Sequence, residues 1–411
     1  MHHRFYLKAV FALCLSLIFS GPSFAAENHG LFSIEDFFQA DSSSQDRNIL
    51  TTRFRLDSTK LNSSGTLSFH FDGRERNSLG TKDYNPSIRR ERVDVLNLEY
   101  STPSLSLVMG RTWVKDLFIE RVDGVNVVFR SDGKGLGLFG GAKPDPYTEA
   151  FNADFMTAGA YAFYSKEDLS GSMAVVHNAF KGAADRQYLY AQGSFYPKKE
   201  LRLYGNVTVD RDQVSKNLSL TNAIFEASYR PDFTKSVSVG YSQFRAIRYF
   251  KSMTFTIDNS RQQIYYLSGT YRVLDKYNLY GRVERSSRLF NDITGQNKSA
   301  MNYQVGVSRD NIYRGVNMNL NLTLTDSYGS STHEALSVDL SKYWESFEAS
   351  VRGTYVHNAY TATDTTDNLW VFGVSGTYFV KKGWNVSGSY EFENGSTYTT
   401  NRLMTRLSYK F

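Results

Sequence analysis

Residues 316–326 read VNMNLNLTLTD, and in this stretch Val316, Met318, Leu320, Leu322 and Leu324 alternate with asparagine or threonine. Successive side chains of a β-strand point to opposite faces, so the alternation predicts a strand with one apolar face and one polar face. A soluble sheet places its apolar face against a protein core, whereas a membrane-spanning strand places it against lipid. This stretch alone does not distinguish a protein core from lipid, so the pattern of the rest of the chain is needed.

The beginning of the chain has the features of a secretory signal peptide. A basic start that includes Arg4 precedes an apolar run over residues 9–20, and Ala25 is a small residue of the kind found before a cleavage site. We therefore expect residues 1–25 to be removed. The only cysteine, Cys14, lies inside this segment, so the mature chain has no thiol for a zinc site or for catalysis.

The mature chain has the composition of one large sheet. It contains no apolar run of the roughly 18 residues that a membrane helix needs, but the sequence is rich in aromatic residues, with 28 Tyr and 29 Phe. Alternating segments of about ten residues recur from Leu31 to Phe411 without a linker or a change in composition, and we count 22 of them, with 20 as the lower bound. This pattern predicts a single β domain over residues 26–411.

The connections between these segments alternate in length. Tight turns such as 101–104, 165–168 and 197–200 are separated by longer polar connections such as 143–153 and 246–261. This sorting is typical of bacterial outer-membrane barrels, whereas a sandwich has no reason for it. The prolines beyond the signal peptide are also predicted to fall in connections, since a closed barrel has no edge strand to tolerate them.

The end of the sequence carries a family resemblance. Leu403, Leu407, Tyr409 and Phe411 share one face of the last segment, and its opposite face is polar. This segment resembles the C-terminal strand of Gram-negative outer-membrane β-barrels, which ends in an aromatic residue that the barrel assembly machinery of that superfamily reads. The resemblance implies an all-β, antiparallel up-and-down transmembrane barrel, located in the outer membrane, in contact with its lipid and recognised by that machinery through Phe411. We expect no plug domain, because only about five residues separate the predicted signal peptide from the first predicted strand.

Four aromatic residues precede tight turns at a fixed distance: Phe195, Tyr229, Tyr271 and Tyr378. Amphipathic rings at one level of a barrel wall form a girdle at the membrane–water boundary. The first segment, residues 31–40, also fits a helical face, with Ser33 and Asp36 resembling a capping box. We interpret it as a strand because single-chain bacterial barrels have an even strand number.

The polar face of the segments is expected to line the lumen. The predicted lumen-lining residues of the pore are Arg53, Arg55, His70, Arg74, Arg111, Asp123, Arg202, Arg230, Arg272, Arg282, Glu284, Glu348, Arg352, Glu391, Arg402, Arg406 and Lys410. Most such charges form solvated cross-strand pairs, but the excess of cations should favour anions slightly over cations.

Arg111 and Asp123 form a more specific pattern, because a hairpin centred near residue 117 sets them opposite each other. An ion pair between them is the simpler interpretation. Arg111 could alternatively contribute to a charged constriction, but residues 113–120 are short for a loop that folds into a pore.

The sequence contains no pattern that indicates catalysis, a cofactor or a metal. His70, His177, His333 and His357 lie on distant segments, and no serine or aspartate stands in a triad motif. There is no phosphate-binding loop, and the net charge of +6 includes signal-peptide residues, so nucleic-acid binding has no support either.

Two functions remain after these exclusions. A ring of about 22 strands is roughly 40 to 45 Å wide, too wide for its own side chains to fill, and only about five residues are expected between the signal peptide and the first strand. The first function is a porin-like channel for passive diffusion of small hydrophilic solutes, with weak anion preference. The alternative is a structural sheath that holds a periplasmic or lumenal protein partner, as the barrels of outer-membrane electron conduits hold a multihaem cytochrome.

Overall fold

Alternation of apolar and polar residues produces 22 β-strands in the computed structural model. The structure describes residues 26–42, 46–79, 91–115, 117, 120–145, 149–213, 216–247, 249–252, 260–274, 276–289, 298–327, 330–361, 363–380 and 383–411. The strands are β1 (Glu27–Asp41), β2 (Arg47–Thr59), β3 (Leu67–Ser78), β4 (Glu91–Ser101), β5 (Leu105–Trp113), β6 (Arg121–Ser131), β7 (Lys134–Ala142), β8 (Phe155–Ser165), β9 (Leu169–Phe180), β10 (Ala183–Lys198), β11 (Leu201–Arg211), β12 (Leu218–Asp232), β13 (Lys235–Phe244), β14 (Arg261–Val273), β15 (Tyr277–Leu289), β16 (Lys298–Tyr313), β17 (Val316–Ser327), β18 (Ser331–Trp344), β19 (Phe347–Tyr360), β20 (Thr365–Phe379), β21 (Trp384–Asn394) and β22 (Thr399–Lys410).

The strands close into one antiparallel up-and-down barrel. Each strand pairs with the next along the chain, and β1 pairs with β22, with Ile34 opposite Leu407. The predicted fold class and the count of 22 are therefore confirmed, and so is the interpretation of residues 31–40 as a strand. Strand β1 begins at Glu27, four residues earlier than predicted. The signal-peptide prediction, residues 1–25, lies outside the described residues.

Most connections are sorted by length as predicted; the exceptions include 60–66, which lies among the tight turns, and 181–182, which lies among the longer connections. The connections at one end include 102–104, 166–168 and 199–200, and those at the other end include 143–154 and 245–260. We call these the short-turn end and the long-loop end. The C-terminus lies at the short-turn end, because β22 runs in the same direction as the strands that finish there.

The outer face carries the apolar residues. In the opening stretch Leu322 and Leu324 are 38% and 40% exposed. At the short-turn end the residues of the predicted aromatic girdle lie on the outer face: the rings of Phe195, Tyr229 and Tyr271 are among the exposed large hydrophobic side chains. Tyr378 belongs to the same set.

The prediction for two prolines is wrong. Pro197 and Pro231 lie within the last residues of β10 and β12 rather than in connections. Both occupy positions where the pairing register shifts, between Phe195 and Lys198 and between Tyr229 and Asp232. A bulge leaves its extra residues unpaired, so the missing amide hydrogen of proline costs no ladder hydrogen bond there.

The seam between β1 and β22 is closed by Phe411. Its amide donates to the carbonyl of Gly30 (3.2 Å) and its carbonyl accepts from the Gly30 amide (2.9 Å). The ring of Phe411 covers Gly30, where an added Cβ would lie 2.2 Å from a ring carbon, and it stacks on Phe54 with the centroids 6.3 Å apart. No helix long and apolar enough to cross a membrane occurs in the described part of the chain.

Candidate functional site: the inner face of the barrel

On the inner face, some tyrosine side chains lie flat across a neighbouring strand and donate hydrogen bonds to polar side chains on the strand beyond it. Tyr280 of β15 donates to Asn319 Oδ1 (3.0 Å) and lies 3.3 Å from Asn321 Oδ1, both on β17. Its ring lies over Gly306 of the intervening β16, where a Cβ would be 2.2 Å from the ring. The asparagines of the opening stretch are therefore inner-face residues, and the glycine is required by the close approach of the ring.

The same arrangement occurs twice more. Tyr266 of β14 covers Gly240 of β13 and donates to Glu226 of β12. Elsewhere Tyr161 of β8 covers Gly137 of β7 and donates to Asn126 Oδ1 of β6 at 3.1 Å. We call these three groups the tyrosine bridges. Each one links a strand to its second neighbour in addition to the backbone ladder.

Charges at mid-height of the inner face are paired. Arg53 binds Asp72 through two hydrogen bonds of 2.6 and 2.8 Å. Arg352 binds Asp339 at 2.5 Å. Each pair has no net charge, so these two predicted lumen residues contribute little to a field along the pore.

Arg282 and Arg402 belong to larger groups. Arg282 lies 4.0 Å above the ring of Tyr266 and binds Glu284 at 2.7 Å. Arg402 is shared between Glu391 and Glu393, at 2.6 Å to each. One guanidinium between two carboxylates leaves a net negative group, which the sequence analysis missed because it did not place Glu393 on the inner face.

A second mixed group lies on β2, β3 and β4. His70 Nδ1 is 2.8 Å from Asp57, and its Nε2 is 3.6 Å from Glu99. Asp57 also accepts from Arg55 at 2.8 Å. Arg74 lies 4.0 Å from Asp94, which Arg92 and Arg121 also contact, and Glu149 is the second carboxylate of this group. Three arginines thus share two carboxylates in this part of the wall.

Cations without a carboxylate partner gather toward the short-turn end. Each of these cations lies next in sequence to an outward apolar residue, such as Tyr271 or Leu407. Because successive side chains of a strand point to opposite faces, each cation lies on the inner face. Within the described residues, no carboxylate is placed within 4.0 Å of any of Arg202, Arg230, Arg272, Arg406 and Lys410. Glu35 lies opposite Arg406 in register, and Glu348 lies near the same end on β19.

The described residues of the connection after β5 lie inside the barrel, contrary to the expectation that this connection is too short to fold into the pore. Val114 and Leu117 are fully buried and pack with inner-face residues that include Val176 and Tyr188. Lys115 Nζ reaches Glu99 Oε2 of the inner face at 2.5 Å. Apolar side chains explain the discrepancy, because Val114 and Leu117 cover a patch of the inner wall that is itself apolar.

A buried polar cluster stands beside this connection. Glu120, 1% exposed, accepts from Tyr188 Oη at 2.6 Å and from Asn178 at 3.4 Å, and Lys143 Nζ lies 3.1 Å from it. Next to it Arg186 binds Asp210 at 2.5 Å. Pairing a nearly buried carboxylate in this way avoids the penalty of an isolated charge.

The connection after β13 reaches back to the same cluster. Asp185, 2% exposed, accepts from the amides of Lys251 (2.6 Å) and Ser252 (3.0 Å) and from the Ser252 hydroxyl (2.7 Å). The ring of Tyr249 lies 5.8 Å from Lys143 Nζ. Asp185 thus fastens this connection to β10. Nearby, an open recess of about 310 Å³ is lined by residues of β10, β11, β12 and the start of the connection, among them Arg186, Tyr188 and Arg245.

The predicted pair of Arg111 and Asp123 is confirmed as an ion pair. The guanidinium donates twice to the carboxylate, at 2.6 and 2.5 Å, and once each to the carbonyls of Val93 and Glu149, both at 2.9 Å. Their side chains are 11% and 10% exposed. Because its donors are engaged, Arg111 anchors the connection after β7 rather than presenting a free charge.

Sequence reasoning missed the cluster around Glu120. Arg186, Tyr188 and Tyr190 alternate with outward Leu189, and this alternation was the signal that could have placed them on the inner face. Glu120 and Asp185 gave no such signal, because their partners lie 68 and 67 residues away along the chain.

Comparison with known proteins identifies similar folds. No family model matches this sequence, and no curated protein matches it. A BenF-like porin from Pseudomonas fluorescens Pf-5 is 13% identical with a TM-score of 0.49, over 94% of this chain and 98% of that chain. Pseudomonas aeruginosa OpdQ (10%, 0.46, 94% and 99%) and Acinetobacter baumannii OccAB4 (10%, 0.48, 94% and 98%) are also similar.

Proposed function

We propose that this chain is an outer-membrane channel for the passive diffusion of small hydrophilic solutes. The observation that carries the proposal is the division of one closed 22-strand ring into an apolar outer face and a polar inner face. Such a ring satisfies every backbone hydrogen bond within lipid and leaves a wet interior. We propose that the short-turn end and Phe411 face the periplasm, as the short turns of outer-membrane barrels do.

We further propose a weak preference for anions, set at the short-turn end. Arg202, Arg230, Arg272, Arg406 and Lys410 support it, because no described carboxylate neutralises them by direct contact. Arg402 does not, since Glu391 and Glu393 outweigh it. Fields from unpaired charges add across a narrow aqueous passage, so a few such cations are enough for a bias.

The sheath around a partner protein such as a multihaem cytochrome is the less favoured proposal. The connections after β5 and β13 lie against the inner wall and occupy space that a lumenal protein would need. We propose no enzymatic activity. Phe411 remains the proposed contact with the barrel assembly machinery.

Reversal potentials in a salt gradient across a planar bilayer test the channel and its selectivity together. Replacing Arg230 and Arg272 with glutamine should move the potential toward cation preference. The shift should fade near 1 M salt, where the Debye length is about 3 Å. Arg309→Gln is the matched control, because Arg309 lies toward the same end on the outer face, beside Tyr277.

Three results would count against these proposals. An equal shift in Arg309→Gln would place the effect outside the lumen. Steady conductance with an unchanged reversal potential in the double variant would contradict the proposed selectivity but not the proposed channel. Erratic conductance, together with a protein that co-purifies in mild detergent, would favour the sheath.

A further inference from the structure

A polar patch interrupts the apolar outer face on β14 and β15. Outward residues on these strands alternate with inner-face ones, and Leu267 and Val283 mark the outer face by exposures of 54% and 42%. Toward the long-loop end the outward positions become polar, with Arg285 opposite Tyr265 and Ser287 opposite Gln263. Arg261 is the next outward residue of β14. We call Arg261, Gln263, Arg285 and Ser287 the outer-face patch.

The outer-face patch lies at the boundary of the apolar band that is nearer the long-loop end. Tyr271 of the girdle is outward on the same strand as Arg261. With a rise of about 3.4 Å per residue and a tilt near 40°, Arg261 stands roughly 26 Å above Tyr271, and the apolar band of such barrels is about 25 Å tall. Arg285 stands lower, and its long side chain can extend toward the boundary.

Arg261 and Arg285 have no partner among the residues that the structure describes. Neither forms a hydrogen bond or an ion pair with any other residue in the described ranges, and the Nε of Arg261 is buried without an acceptor. On this face the carboxylate of Asp326 lies two strands from Arg285, beyond Met301. An arginine facing lipid is unfavourable unless it reaches the interface or an anion.

The donors of the patch suit a phosphate group. Guanidinium groups bind phosphate through two parallel hydrogen bonds, and a serine hydroxyl and a glutamine amide add neutral donors. Gln263 is held in place by donating to Tyr241 Oη at 2.9 Å. The ring of Tyr241 in turn packs on that of Tyr265, with the centroids 4.9 Å apart. Acyl chains can lie along these exposed rings below the charged groups.

We propose that the outer-face patch binds the phosphate groups of lipid headgroups in the outer leaflet. This inference rests on the outer-membrane placement proposed above but not on what passes through the pore. A second copy of this chain is the competing occupant, because Asp326 and Glu334 are carboxylates on the outer face of β17 and β18.

The test measures lipid bound to the full-length protein in mild detergent. Lipid A carrying both phosphates and phosphatase-treated lipid A are the two probes, quantified by native mass spectrometry. Wild-type protein should retain the phosphorylated probe, and Arg261→Gln/Arg285→Gln should lower retention by roughly tenfold or more. Arg309→Gln, an outward arginine near the other end, should retain it like wild type.

The remaining outcomes are also decisive. Equal binding of both probes to wild type overturns the proposal without any variant, so a variant that fails to fold leaves it testable. Loss of an oligomer in the double variant, measured by light scattering, would assign the patch to a second copy instead. A protein that does not insert into vesicles would refute the membrane placement, whereas altered pore selectivity with intact lipid binding would affect only the proposed channel.

Discussion

At the scale of single residues, the wall depends on glycines that the alternation pattern does not single out. Gly306 and Gly240 occupy ordinary inner-face positions, and nothing in their own strands marks them. Their role comes from Tyr280 and Tyr266 on neighbouring strands, which lie flat where no Cβ intervenes. Sequence reasoning could predict the face of these glycines and tyrosines from the alternation, but it could not predict their contact, because the contact depends on the pairing register.

Gly306→Val should destabilise the barrel by about 1 to 3 kcal/mol, the usual cost of overpacking a close contact. The added side chain would displace the Tyr280 ring and break its hydrogen bonds to β17. Gly353→Val is the matched control, since a Cβ there meets no atom within 4 Å. Urea midpoints of unfolding by tryptophan fluorescence measure both, and equal destabilisation would show that the ring contact is unimportant.

At the scale of elements, the sequence did not predict that the connections after β5 and β13 contact the inner wall. The one after β5 was expected to be too short for the lumen, yet Val114 and Leu117 are fully buried there. The one after β13 is fastened through Asp185 on β10. Local pattern reading finds strands because their periodicity is local. It could not find these contacts, which join segments more than 60 residues apart.

Asp185→Ala should release the connection after β13 and raise single-channel conductance. The substitution removes three acceptor contacts, to the amides of Lys251 and Ser252 and to the Ser252 hydroxyl. Recordings in planar bilayers at fixed salt measure the change. Asp168→Ala, at an exposed turn of the short-turn end, should conduct like wild type. Unchanged conductance in Asp185→Ala would mean that this connection does not narrow the pore.

At the scale of the whole molecule, the strand number, the sorting of connections and the assignment of faces followed from the sequence alone. They did so because each strand of such a barrel places one face against lipid and the other against water, and this requires apolar and polar residues to alternate with a period of two. The charge of the lumen followed only in part. Among the described residues, Arg272 and Lys410 have no carboxylate within 4.0 Å, as a sum of charges assumes. The charge of Arg352 is cancelled by Asp339, and that of Arg402 by Glu391 and Glu393.

Cysteine labelling tests the orientation of the whole barrel. Cys14, in the predicted signal peptide, is the only cysteine of the sequence, so single substitutions after residue 25 report one site each. Thr365→Cys, at the long-loop end, should react with an impermeant maleimide on intact cells, and Lys199→Cys, in a short turn, should react only after lysis. The opposite result would reverse the proposed orientation.

The tyrosine bridges bear on how a ring of 22 similar strands avoids pairing errors. A slip of two residues between neighbours leaves every side chain on its own face and still satisfies most backbone hydrogen bonds, so the ladder and the alternation together discriminate poorly between such alignments. A bridge adds a check between second neighbours, since a slipped β16 would put a side chain beneath Tyr280 in place of Gly306. Misalignment of one strand is thereby penalised through the two strands on either side of it.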